Sequence, residues 1–249
     1  MTKARFKRTK IVATLGPACN SKTKLRNLIR AGVNVFRINF SHATYDEVDH
    51  YIEIINELNK ELDSNVAVLA DLQGPKIRLG NMHSNVSIKK GEIISFDCKS
   101  HFIGDKSKAS ISYPDFAKDV KKGDKVLVDD GKLIFEVLST DKKSIVKLKN
   151  IQGGIISSRK GINLPNTKIS TPSLTEKDKK DLFFAISKEV DWVALSFVRN
   201  ARDMQNLREI IEKKSDEKIP IIAKIEKPEA IDSIEAVSYT HLRAHETSG

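Results

Sequence analysis

The sequence predicts an α/β protein built on parallel strands, with an all-β module inserted after the third strand. Two observations carry this. Five apolar segments are near-continuous in Val, Ile, Leu, Ala and Phe rather than alternating, the mark of parallel strands covered on both faces, and helical stripes lie between them. From about Pro75 to Lys168 the helical period vanishes and short alternating runs replace it.

The first strand is "KIVATLG" from Lys10. Leu25, Leu28 and Ile29 then form one apolar stripe behind a polar start at Ser21, and Gly32 is placed to end that helix. "VNVFRINF" from Val33 follows, then a helix on Val48, Ile52, Ile55 and Leu58, then "NVAVLADL" from Asn65. The module reads "VSIK", "EIISFD", "KVLVDD", "KLIFEVL" and "SIVKLK", punctuated by "KKGD", "DDGK" and "QGG". Leu182 and Ile186 behind a Thr175 cap resume the helical grammar. "VDWVALSF" from Val190, a helix on Met204, Leu207 and Ile211, and "IPIIAKIE" from Ile219 complete it.

A chain of 249 residues with 39% apolar content can bury a core of barrel size. Lys and Arg exceed Asp and Glu by 43 to 33, which suits phosphorylated metabolites, nucleic acid or an acidic surface alike. Cys19 and Cys98 are too few for a disulfide framework or a zinc site and favour a reducing compartment. The basic start "MTKARFKRTK" is followed by no signal-like apolar stretch, and no run nears the ~20 residues of a membrane span, so the expectation is a cytoplasmic protein without membrane partners. A nucleic-acid-binding protein is the alternative. It would need exposed aromatics among its basic residues, whereas only 6% of the chain is aromatic, and Phe96 and Phe135 sit inside apolar runs.

In a parallel barrel or open sheet the carboxyl ends of the strands gather on one face and build the site. Here those ends are polar. Strand two delivers Arg37, Asn39, Ser41 and His42; strand three Asp71, with Lys76 and Arg78 beyond it; strand four Ser196 and Arg199; strand five Lys224 and Glu226. Cations suit phosphoryl oxygens, and carboxylates suit a metal. Singly, each has a structural reading: Lys224 pairing with Glu226, Asn39 and Ser41 as turn residues, His42 beside a helix cap, Asp71 capping a turn. Four consecutive strands ending this way weigh towards one site. Lys224 and Glu226, two residues apart on an extended chain, share a face.

The stretches "KIVATLGPAC", "AGVNVFRINFSH", "VLADLQGPKIRLG", "VDDGKL", "RKGINLP", "LTEKDKKDL", "DWVALSFVRNARD" and "IIAKIEKPEAID" resemble, in order and interval, the pyruvate kinase family from Lys10 to about Ala236. The resemblance implies a (β/α)8 TIM barrel, here truncated to five of eight strands, with an inserted all-β lid domain after the third strand. The implied divisions are 1–74 and 169–237 for the barrel, 75–168 for the lid, and 238–249 for a tail outside the family pattern. It also implies phosphoryl transfer from phosphoenolpyruvate to ADP with Mg²⁺, and a full-length parent that is a homotetramer without nucleic-acid partners.

By the same resemblance Lys224 is the catalytic cation, and Arg37 and Ser196 contact substrate. Asn39, Phe40, Ser41, His42, Arg78 and Lys160 contact nucleotide, Glu226 binds Mg²⁺, and Asn39, Ser41 and Asp71 bind a monovalent cation. Asp129 belongs to the lid. Many members carry Thr, Lys and Glu where this chain has Leu72, Gln73 and Lys76, and those depend on K⁺; Lys76 is therefore expected to replace K⁺. After "AIDSIEAV" a sixth apolar strand is due, with a second carboxylate for Mg²⁺, but the chain reads "SYTHLRAHETSG". His241 and His245 could ligate metal on a helix, though a tag-like or out-of-frame tail starting near Val237 is the favoured reading, and the fragment is expected to be inactive.

Overall fold

The computed structural model describes residues 9–165 and 167–242, which form two compact units. The first comprises the chain up to Gly74 and from Ser173 onward, the second Pro75–Pro172. The second unit thus closes four residues later than the Lys168 expected, because the Ser170 N–H and hydroxyl both donate to Asp119 of that unit, at 2.8 and 2.6 Å.

The first unit holds β1 (Val12–Thr14), α1 (Lys22–Ala31), β2 (Val35–Asn39), α2 (Tyr45–Leu62), β3 (Ala67–Asp71), α3 (Glu176–Ser187), β4 (Trp192–Leu195), α4 (Ala201–Glu212), β5 (Ile221–Ala223), α5 (Pro228–Asp232) and α6 (Ile234–Leu242). Its five strands are all parallel and lie in the order β1-β2-β3-β4-β5. A doubly wound sheet reverses its order at a switch point; an unbroken succession is the winding of a barrel wall. Apolar side chains of the helices and strands fill one core, including Leu25, Phe36, Ile55, Leu58, Leu182, Val193 and Leu207.

The helix signals act as their chemistry requires. Gly32 takes φ 103°, a conformation costly for any residue with a Cβ, and its N–H returns to the carbonyls of α1. Thr44 and Thr175 each form a capping box, with Glu47 and Asp178 respectively. One expectation needs correction. Burial on both faces does not extend to the sheet edges, where Val12 is 53% and Ile222 37% exposed. α6 runs across the boundary placed near Val237, whose side chain is buried; the remainder of the expected tail, His245 included, lies outside the described residues.

The second unit is a seven-stranded sheet, ordered 77–78, 161–163, 125–128, 133–140, 145–150, 93–97 and 108–110, beside a two-stranded pair of 86–88 and 154–156. All five alternating runs of the sequence became strands. Alternation puts Val126, Val128, Phe135, Val137, Val146 and Leu148 into one core with Phe96 and Phe116. The strands at 77–78, 108–110, 154–156 and 161–163 span two or three residues each, too short to show a period. Among the described residues no helix is long and apolar enough to cross a membrane.

Asp178 does more than cap α3: its second oxygen accepts the buried Gly74 N–H at 3.0 Å. Thr175→Ala is therefore expected to lower stability by about 1 kcal/mol, the worth of a cap. Asp178→Ala is expected to cost about 2–3 kcal/mol, since a buried N–H also loses its acceptor. Urea unfolding followed by far-UV circular dichroism measures both.

Candidate active site

The site grows from one carboxylate. Asp71 ends β3, opposite Asn39 of β2 and Ala194 of β4 in the ladder, and its side chain is only 3% exposed. A buried carboxylate costs several kcal/mol unless it is paired. Two cations meet it, one from the neighbouring β2 and one from beyond β5: Arg37 Nε donates to Oδ2 at 2.6 Å, and Lys224 Nζ lies 3.1 and 3.3 Å from the two oxygens. Arg37 is braced from the other side, its Nη1 donating to Thr14 Oγ1 of β1 at 2.8 Å.

Lys224 stands just beyond β5, whose ladder stops at Ala223, so the strand is shorter than the sequence suggested. Its ammonium is fixed further by Ser196, whose Oγ accepts from Nζ at 2.8 Å while donating to the Leu72 carbonyl at 2.6 Å. Glu226 approaches the same ammonium, with Oε1 at 3.5 Å, and its Oε2 accepts the Phe197 N–H at 3.1 Å. Five side chains expected from the strand ends, Arg37, Asp71, Ser196, Lys224 and Glu226, therefore converge. In chain order they are cation, carboxylate, hydroxyl, cation, carboxylate.

The turn after β2 serves the neighbouring surface. Asn39 Oδ1 accepts the Ser41 N–H at 3.0 Å, the turn role that was its structural alternative. Phe40 is buried; its N–H donates to the Asp71 carbonyl, and its own carbonyl accepts from Lys177 Nζ at 2.9 Å. Asn39 and His42 line a cavity of about 340 Å³ with Thr14, Gly16, Pro17 and Tyr51.

Other expected residues fall elsewhere. Arg199 turns away to Asp203, gripping it through Nε at 3.1 Å and Nη2 at 3.0 Å, and Ser173 Oγ adds a bond at 2.7 Å. Burial works to raise the Asp203 pKa, but these hydrogen bonds prevail and hold it below the ordinary carboxylate range. Lys76, Arg78, Asp129 and Lys160 belong to the second unit. There Asp129 binds Lys160 at 3.0 Å and Lys132 at 3.2 Å, pairs that lower its pKa, while Arg78 Nη1 donates to the Arg159 carbonyl at 3.1 Å.

Thr14 and Phe197 also support the site, while Ser173 holds the Phe197 carbonyl and Asp203 holds Arg199; the strand-end reading selected none of the four. Asp203 is signalled weakly, three residues after the Asn200 cap of α4. Phe197 acts through its backbone, which leaves no mark in the residue pattern.

Among the described residues no group of three or more His, Cys, Asp or Glu side chains could hold a metal ion. Glu226 offers one carboxylate, which suits Mg²⁺, an ion commonly held by one or two carboxylates together with substrate phosphates. A monovalent cation fits less well, because Asp71 is already shared by two positive groups.

The family model for the pyruvate kinase barrel domain matches residues 6–240. Pyruvate kinases of Clostridium perfringens and Geobacillus stearothermophilus are 41% and 39% identical over 93% of this chain, which covers 49% and 40% of their lengths. A crystal structure of a pyruvate kinase from Cryptosporidium parvum superimposes with a TM-score of 0.88 at 32% identity, covering 94% of this chain and 49% of that one. The chain spans half or less of the length of these relatives.

Asp203 supplies a pH test. A depressed carboxylate pKa contributes stability that is fully present above the unfolded-state value and lost as pH falls through the folded-state value. Arg199→Ala is expected to cost about 1–3 kcal/mol at neutral pH, the range of hydrogen bonds to charged groups. The difference from the unaltered chain should begin to shrink as pH drops below about 4, the unfolded-state value, and should be gone only below the depressed folded-state value, where Asp203 is protonated in both chains. Urea unfolding at a series of pH values reads it.

Proposed function

The chain belongs to the pyruvate kinase family, and on that premise we propose that it supplies the phosphoryl-transfer site of an enzyme moving phosphate from phosphoenolpyruvate to ADP. The observation that carries the reading is the Lys224 ammonium, held by Asp71 and Ser196 beside Glu226. A cation already fixed in place stabilises charge developing on a transferring group without the cost of reorganising to meet it.

In this reading Arg37 offers its planar fork to phosphate, and Ser196 positions Lys224 through the bond it accepts. Glu226 would hold Mg²⁺, which when bound neutralises phosphoryl oxygens. The turn Asn39–His42 and the cavity beside it would receive the nucleotide; Arg78 and Lys160 are proposed as further nucleotide contacts, and Asp129 as a residue of a water-excluding lid. A cytoplasmic location and a homotetrameric parent complete the proposal. The 249 residues alone are proposed to be inactive, since β1 and β5 end the sheet and no group of three or more metal-ligating side chains is assembled among the described residues.

Lys76 is proposed to provide the charge that K⁺ provides in other members. An ammonium and K⁺ about 4 Å apart would repel by roughly 4 kcal/mol at an effective dielectric near 20, so the two are alternatives rather than companions.

Three outcomes test these readings. The purified 249-residue chain should show no turnover above background, and joining it to the missing family segment should restore activity. In that restored enzyme Lys224→Met should lower kcat at least ~10²-fold with a much smaller change in KM, because the charge acts mainly in the transition state; near-normal kcat with a raised KM would make Lys224 a binding residue. Assayed in tetramethylammonium buffer, the same enzyme should gain less than ~10-fold on adding K⁺, about 1.4 kcal/mol of barrier, with K⁺ dependence emerging in Lys76→Glu.

A further inference from the structure

Phe197 follows β4 in a left-handed conformation, φ 55°. A bulky residue rarely adopts it, and such outliers persist where surrounding contacts over-determine them. The other left-handed non-glycine residues described in the first unit, Asp63 and Glu189, stand at the C-terminal ends of α2 and α3, where that conformation closes a helix. Phe197 ends no helix.

Its contacts supply the reason. The N–H donates to Glu226 Oε2 at 3.1 Å. The carbonyl accepts from Ser173 Oγ at 2.9 Å. The ring lies so close to Gly74 that a Cβ there would stand 2.8 Å from Phe197 Cδ2, and Gly74 itself has φ 70°. On the remaining side Lys227 Nζ sits 6.0 Å from the ring centroid. Gly74 and Ser173 are where the chain leaves the first unit and returns to it. One residue thus touches both crossings and the carboxylate at the mouth of the site.

We propose that Phe197 is a positioning residue that ties the orientation of Glu226 to the two chain crossings at Gly74 and Ser173. Its left-handed backbone aims the N–H at the carboxylate while the ring and carbonyl engage the crossings. A displacement of either crossing is then transmitted to Glu226. This rests on reading Glu226 as a site residue, but its test needs no turnover.

The test is amide hydrogen exchange by NMR on the 249-residue chain, where protection reports local opening. Phe197→Gly keeps the backbone conformation and removes the ring, and is expected to speed exchange of the Gly74 amide by ~10-fold or more. Phe197→Tyr should restore the unaltered rate, which mere loss of packing elsewhere would not. Glu226→Gln should speed exchange at the position-197 amide and, through the shared residue, at Gly74. Gly74→Ala must displace the ring and should deprotect the position-197 amide in turn. Unchanged protection around Phe135 certifies that each variant is folded. If Gly74 exchange is the same in Phe197→Gly and Glu226→Gln as in the unaltered chain, the proposal is overturned. Absence of phosphoryl transfer in a restored enzyme would instead overturn the proposed function and leave these rates as they are.

Discussion

Asp71 is the constraint around which the first unit is arranged. Its carboxylate is almost wholly buried at the end of β3, and it is tolerable there because Arg37 from β2 and Lys224 beyond β5 both reach it. Thr14 of β1 and Ser196 after β4 hold the two cations in turn. The network therefore draws on all five parallel strands. Displacing one strand by a single residue would turn a charged side chain to the wrong face and leave Asp71 short of a partner.

The same arrangement underlies the role proposed for the Lys224 ammonium. It is tethered on two sides but is not enclosed, with 29% of its side chain accessible. Asp71 holds it from the protein side, and Glu226 stands at 3.5 Å on its more open flank. A charge held in this way needs little rearrangement to meet a phosphoryl oxygen, and that preorganisation is where electrostatic catalysis gains over water. Removing Asp71 would leave Arg37 without its carboxylate and Lys224 with Glu226 at 3.5 Å, so the carboxylate is structural and electrostatic at once.

Phe197 shows the limit of reading side chains alone. As a residue type it reads as core, yet its ring packs on a glycine at a chain crossing and its N–H serves Glu226. Arg199 makes the opposite point. Its place at a strand end suggested the site, but Asp203, four residues later on α4, captures it at lower cost than a longer reach would. Competition from a local partner is invisible until the helix start is fixed in space.

Periodicity determined the parallel strands, the alternating module and the helix faces, because burial of one face or of both leaves a countable pattern; Gly32, Thr44 and Thr175 ended or began helices for local stereochemical reasons that need no tertiary context. The gathering of Arg37, Asp71, Ser196, Lys224 and Glu226 was also legible, since parallel strands must end on one face. Only the tertiary structure decided who binds whom. It gave Asp71 to Lys224 and Arg37, Arg199 to Asp203 and the Phe197 N–H to Glu226, and it stopped β5 at Ala223. Most of those choices join residues far apart in the chain, and a hydrogen bond, unlike burial, needs its donor and acceptor within about 3 Å and well aligned.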